Sequence, residues 1–299
     1  MVKVCIGLWG SQELVGGDFA AVPDMIRRAD EKGIDQVDVP DHVLMANPEQ
    51  YVYGKFAVPI DYPWYEPLIT LAAIAATTRQ IRLTQGVMIG ALRPAPLLAK
   101  QITTIDVLSR GRIDVGLGAG WMPEEFAACN IPFERRFDYL FELVRAMRAL
   151  WAGAPASFSG ERITLDSVWQ LPLPVQNRIP VIFGLPVPSE RNFARIAELG
   201  DGWYPLEEDP AVLGPHISRL KQCFEACERD PEQIIVRATS TPFYVAGGEG
   251  DLDAALRKAG PLIKAGVTHI GFPIRAYCRS IDDFEPFLDR VLAIKSYPD

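Results

Sequence analysis

LSRGRIDVGLGAGWMPEEF (Leu108–Phe126) holds a strand, a glycine-rich turn and an acidic helix start in one short stretch. Arg112 to Gly118 is a β-branched and apolar run, and Gly116, Gly118 and Gly120 bring the backbone close to whatever lies above it. Pro123-Glu124-Glu125 suits a first helical turn, where a proline loses nothing and acids meet the positive end of the helix. The G-x-G-x-G pattern invites a dinucleotide fingerprint, which also requires G-x-x-G spacing and an acid at the end of the next strand. Neither is present. A close-approach loop at the C-terminal end of one strand among many fits better.

Outward from this stretch, strand and helix alternate along the whole chain. The strand candidates are Val2–Leu8, Gln36–Val39, Ile81–Ile89, Arg112–Gly118, Pro180–Gly184, Gly202–Tyr204, Ile234–Thr239 and Val267–Phe272. Helical patterns fill the gaps at Phe19–Lys32, Pro67–Thr78, Pro94–Leu108, Arg136–Trp151, Ser189–Leu199, Ala211–Arg229 and Asp251–Ala265, and a last one covers Ile281–Ile294. Eight strands, each followed by a helix, are the count of an α/β (β/α)₈ TIM barrel, expected as a single domain over residues 1–299. A doubly wound open sheet would carry a phosphate fingerprint after its first strand. Two insertions interrupt the alternation: Val43–Tyr65 after strand two, rich in Tyr, Pro and Trp, and Ala154–Asn177 before strand five, which reads as a hairpin or an extended wrap.

Composition narrows the function. The net charge of −8 argues against nucleic acid and against a general membrane-surface role. No apolar run approaches a membrane span, and MVKVCIGLWG passes straight into a strand, so a cytoplasmic protein is expected. The five cysteines are scattered, which favours free thiols, and Cys223 with Cys227 lacks the further ligands that a metal needs.

In a barrel the chemistry collects where strands end. Those ends read Trp9, Asp41-His42, Val87-Met88, Ala119-Gly120-Trp121, Gly184-Leu185, Trp203-Tyr204 and Phe272-Pro273. This rim is aromatic and apolar, with one histidine and an adjacent carboxylate, a lining suited to a flat conjugated cofactor. His216 falls in a helical pattern and His269 inside a strand, which leaves His42 as the histidine placed for chemistry.

GIDQVDVPDH (Gly33–His42), RQIRLTQGVMIGALRPAPLLAKQITTIDVLSRGRIDVGLGAGW (Arg79–Trp121) and AELGDGWYP (Ala197–Pro205) together resemble the bacterial luciferase-like flavin monooxygenase superfamily. Within it the likeness is nearest to the deazaflavin (coenzyme F420)-dependent oxidoreductases. The resemblance implies a TIM barrel in which Asp41-His42 follows strand two, with the histidine beside the reactive ring as proton donor or oxyanion stabiliser. It implies a cis non-prolyl peptide in Gly86-Val87-Met88 behind the ring, and a strand-four turn at Ala119 and Gly120 where the cofactor tail passes. It places a phosphate cradle at Gly184-Leu185-Pro186, although Pro186 and Pro188 lack N–H donors, leaving Ser189 as N-cap and phosphate ligand. Trp121 stands where sugar-phosphate dehydrogenases of the family keep a glutamate general base, and a tryptophan cannot take a proton.

The resulting expectation is an F420-dependent oxidoreductase transferring hydride to or from a small, largely apolar organic substrate. His42 is its catalytic residue, and Trp9, Trp64, Trp121 and Trp203 wall the pocket. Arg93, Arg191 and Arg279 are candidates to offset the acidic cofactor tail. An FMN-dependent monooxygenase working with a separate reductase is the first alternative, and a non-catalytic flavin- or deazaflavin-binding protein the second. A small-molecule substrate, no metal, and a homodimer complete the expectation.

Overall fold

The parallel strands follow one another around a nearly closed barrel. The computed structural model describes residues 1–46, 51, 58–240 and 249–297, so the insertion Val43–Tyr65 lies partly outside the described residues. The barrel strands are β1 (Lys3–Gly7), β2 (Gln36–Val39), β3 (Arg82–Gln85), β4 (Met88–Ile89), β5 (Val115–Gly118), β8 (Val181–Gly184), β9 (Gly202–Tyr204), β10 (Ile235–Thr239) and β11 (His269–Pro273). Their order is β3-β2-β1-β11-β10-β9-β8-β5-β4. Because β3 and β4 are two pieces of one staff, nine strands build the eight expected positions. A bridge between Leu83 of β3 and Ile113, just ahead of β5, closes the ring.

The helices sit where the sequence periodicity puts them, apart from a short turn, Ile274–Tyr277, that it did not mark. They are α1 (Val22–Lys32), α2 (Pro67–Thr77), α3 (Ala95–Ser109), α4 (Pro123–Ala128), α5 (Arg136–Ala152), α6 (Glu190–Leu199), α7 (Pro210–Ala226), α8 (Leu252–Lys264), α9 (Ile274–Tyr277) and α10 (Phe284–Leu292). Local chemistry fixes their starts: Pro67 opens α2, and Ser189, Asp209 and Asp251 accept backbone N–H bonds at the starts of α6, α7 and α8. Ahead of β8, the antiparallel pair β6 (Ala156–Ser159) and β7 (Thr164–Val168) forms the hairpin read from the second insertion. Among the described residues no helix is long and apolar enough to cross a membrane.

Strand parity sorts the side chains. Val4, Ile6, Val37, Val115, Leu117, Val181, Phe183 and Val236 are buried in the main apolar core, while their neighbours in sequence turn to the barrel interior. That interior is polar, where such barrels are usually filled by branched aliphatics. Gln36 of β2 donates to Asp114 at 2.8 Å, as does Arg82 of β3, and Cys5 of β1 donates to Gln36 at 3.3 Å. Higher up, Asp38 of β2 forms a buried ion pair with Arg237 of β10, across two intervening strands and therefore through the lumen. Tyr204 lies under the Arg237 guanidinium, 4.9 Å from its ring centre. Burial pushes Asp38 above the usual carboxylate range while Arg237 opposes that rise, and burial pushes Cys5 up to about 12.

The break between β3 and β4 explains the opening glycines. The Gly86-Val87 peptide is cis, as the resemblance implied. At the bulge, Gly116 N–H bonds to the side-chain oxygen of Gln85 at 3.1 Å instead of a backbone carbonyl. The Gln85 carbonyl occupies the space a Gly116 Cβ would need. One step on, the Val87 side chain fills the space beside Gly118, 2.8 Å from where its Cβ would stand. The clearance that these glycines create is used by the protein's own bulge.

Two outcomes follow. Gly116→Ala should cost about 3 kcal/mol, because backbone rather than a flexible side chain must move, measured by urea denaturation. The second concerns His269, whose Nδ1 lies 2.9 Å from Thr268 Oγ1 and whose pKa burial, reinforced by Arg237, lowers from 6.5 to about 3. The unfolded chain takes up this proton near pH 6.5 and the folded chain only near pH 3, so the group's contribution to stability is present above that window and lost as pH falls through it. Plotted against pH, His269→Asn should have a flatter stability curve than the parent across that window.

Candidate active site

The loop after β2 and the first turn of α4 meet at the rim. Asp41 is buried there and fully engaged: Oδ2 accepts from Ile89 N at 2.8 Å and from Arg93 at 2.6 Å, and Oδ1 accepts from Arg93 at 3.1 Å. Arg93 also donates to Glu66 at 3.1 Å. Burial works against the guanidinium charge, but Asp41 and Glu66 outweigh it and hold the Arg93 pKa above its ordinary value. Asp41 and Arg93 thus brace the β2 and β4 ends, and Arg93 is committed to these carboxylates rather than to a cofactor tail.

His42 comes next in sequence and turns the other way. Its Nδ1 lies 3.0 Å from Glu125 Oε2, while Glu125 Oε1 accepts Val43 N–H at 2.8 Å. Glu125 is fully buried. The imidazole stands edge-on to Trp64, with ring centres 4.5 Å apart, and to Trp121 at 5.7 Å. Trp64 in turn meets Trp9 at 4.9 Å and Tyr62 at 5.2 Å. Three of the four tryptophans expected to wall the pocket therefore join His42 in one aromatic chain.

Trp203 does not join it. Strand parity sends Gly202 and Tyr204 inward and Trp203 outward, where it packs against Phe193 of α6 at 6.1 Å and His216 of α7 at 6.4 Å. Its indole N–H donates to Leu185 O at 2.9 Å. This tryptophan is a buried core residue on the helix side of the sheet.

The remaining expected cofactor contacts fall into two groups. Gly86, Val87 and Met88 form the bulge, with Met88 buried in the core and Val87 spanning Gly118 and Gly184. Ala119 is buried, and the volume a Gly120 side chain would take is held by Ile89 and Phe126. At the expected phosphate cradle, Leu185 N–H is already spent on Tyr204 O at 3.2 Å. Ser189 Oγ accepts from Asn192 N at 3.4 Å as the α6 cap. Pro186 and Pro188 lack donors, so the segment offers a phosphate fewer backbone N–H groups than an all-glycine cradle would.

Glu125 and Tyr62 are the members that sequence reasoning passed over. In the sequence Glu125 is the second of two acids in a first helical turn, a pattern that the helix dipole alone accounts for. The available signal was its position just beyond the rim turn at Ala119-Gly120-Trp121.

The sequence family agrees with the barrel. The model of the luciferase-like monooxygenase family matches residues 3–284. The chain belongs to that family. Among relatives, the uncharacterised protein Rv0953c of Mycobacterium tuberculosis is 32% identical over 272 residues, covering 89% of this chain and 91% of the relative. Two solved structures share the fold at low identity. Monooxygenase RslO1 from Streptomyces bottropensis superposes with a TM-score of 0.75 at 20% identity, covering 98% of this chain and all of that one (100%). The coenzyme F420-dependent tetrahydromethanopterin reductase from Methanopyrus kandleri gives a TM-score of 0.74 at 16% identity, covering 98% and 99%. The family is one of oxidoreductases, and solved structures that share the fold include F420-dependent enzymes and monooxygenases.

The brace makes a sharp prediction. Arg93→Met keeps the aliphatic stem but strands the buried Asp41 carboxylate, and should cost about 3–5 kcal/mol in urea denaturation. A loss within about 0.5 kcal/mol, the usual range for surface changes, would show that the pair does not hold the rim.

Proposed function

We propose that this protein is a coenzyme F420-dependent oxidoreductase that moves hydride to or from a small, largely apolar organic substrate, with His42 as its proton-exchanging residue. The observation that carries the reading is the His42–Glu125 pair set into a wall of Trp9, Tyr62, Trp64 and Trp121. A flat conjugated ring fits this wall, and one atom speaks for it: the buried indole N–H of Trp64 has no acceptor among the described residues. Ring carbonyl oxygens would satisfy that donor.

Bound deazaflavin supplies a two-electron hydride carrier that reacts poorly with oxygen. The chain supplies the rest. Trp9, Trp64 and Trp121 exclude water from the reacting face and orient ring and substrate by apolar contact. His42, with Nδ1 committed to Glu125, exchanges a proton with the substrate through Nε2, giving or taking it according to the direction of the redox step. Trp121 brings no proton, so acid–base work rests on His42. Asp41 and Arg93 keep the His42 backbone fixed from behind.

Fluorescence titration of the purified protein with F420 and with FMN tests the reading. Saturable F420 binding is expected. Tight FMN binding with no response to F420 would replace this reading with that of a monooxygenase served by a separate reductase, and binding of neither would mean a barrel without this cofactor. His42→Ala should retain F420 affinity and lose turnover by about 10²–10⁴-fold. Unchanged turnover would remove the acid–base role.

A further inference from the structure

We infer that Glu125 is the positioning residue of His42: it fixes the imidazole as the Nδ1–H tautomer and turns the basic lone pair onto Nε2. A carboxylate without solvent must find donors for its oxygens, and on Glu125 the backbone serves one oxygen, with Leu44 N–H adding a long bond of 3.5 Å to Oε1, while the imidazole faces the other. Oε1 receives Val43 N–H at 2.8 Å, and Oε2 lies 3.0 Å from His42 Nδ1. The first bond fixes which way the carboxylate faces, because the Val43 amide can only donate. The second oxygen is then left as an acceptor toward the ring, so the ring nitrogen facing it carries the proton.

The arrangement requires a carboxylate specifically. A glutamine offers one acceptor oxygen and one NH₂, yet donors face both ends of this side chain, Val43 and Leu44 N–H at one and the ring nitrogen at the other. Whichever way the amide is turned, its NH₂ meets either Val43 N–H or Nδ1–H. Glu125→Gln, nearly identical in volume, therefore removes the tautomer control while leaving packing in place. The bond also links two elements, since Val43 and His42 lie in the loop after β2 and Glu125 in the first turn of α4. A shift of α4 moves the imidazole with it.

The test exploits composition: the chain has three histidines, so ¹⁵N spectra of histidine-labelled protein hold few signals and His42→Ala assigns one set. In alkaline solution the wild-type His42 should show a proton-bearing Nδ1 and a bare Nε2. In Glu125→Gln the two tautomers should mix. A wild-type ring carrying its proton on Nε2, or an unchanged tautomer in folded Glu125→Gln, overturns the inference, and the wild-type spectrum decides even where the variant does not fold. The catalytic consequence rests on the function proposed above, whereas these spectra need no cofactor, so failure of the F420 titration would sink only that reading. With the loaded enzyme, Glu125→Gln should lower kcat about tenfold or more at unchanged KM. It should add no further loss in a His42→Ala background. Additive losses would show that Glu125 acts by another route.

Discussion

A carboxylate cut off from water is tolerable only when its oxygens are met by donors, and the active rim of this barrel is organised around that demand at Glu125. An unpaired buried charge costs several kcal/mol, far more than any surface ion pair returns. The demand is met by Val43 N–H and His42 Nδ1, which ties α4 to the loop after β2 and sets the imidazole edge-on to Trp64 and Trp121. Asp41 imposes the same demand one residue earlier and is met by Ile89 N–H and Arg93. Consecutive residues thus face opposite ways, one bracing the rim and one presented to the pocket. Their division of labour follows from which donors surround each side chain.

Beneath the rim the lumen repeats this logic. Asp38 and Arg237 are paired across the barrel, with Gly86 closing over the carboxylate so that no Cβ competes for its place. The bulge that separates β3 from β4 is accommodated from the other side by Gly116 and Gly118, and Gln85 supplies a side-chain acceptor where the ladder loses a backbone one. The glycine-rich turn and the polar lumen are therefore two parts of one device. It lets a strand change course just below the site without leaving Gly116 N–H unsatisfied.

Much of this was legible in the chain. Alternating strand and helix periodicities placed the barrel elements to within a few residues, because apolar spacing is set by which face packs on the core. Asp41-His42, Trp9 and Trp121 came from strand ends, and Trp64 from the aromatic insertion after strand two. Trp203 misled because its position at a strand end was weighed without strand parity, which turns it to the helix side between Gly202 and Tyr204. Glu125 was illegible because its partner His42 lies far away in sequence and its local setting already had an ordinary explanation. The opening glycines were read as room for a cofactor, and only the three-dimensional path of Gln85 and Val87 reveals that the chain itself takes that room.

The central claim is that a bound ring meets the protein at His42. Following the histidine ring signals while F420 is added tests it directly. The account predicts that the His42 resonances move in step with saturation while those of His269, at the start of β11, and His216, packed between α6 and α7, stay in place. Saturable binding that leaves His42 unmoved would contradict it.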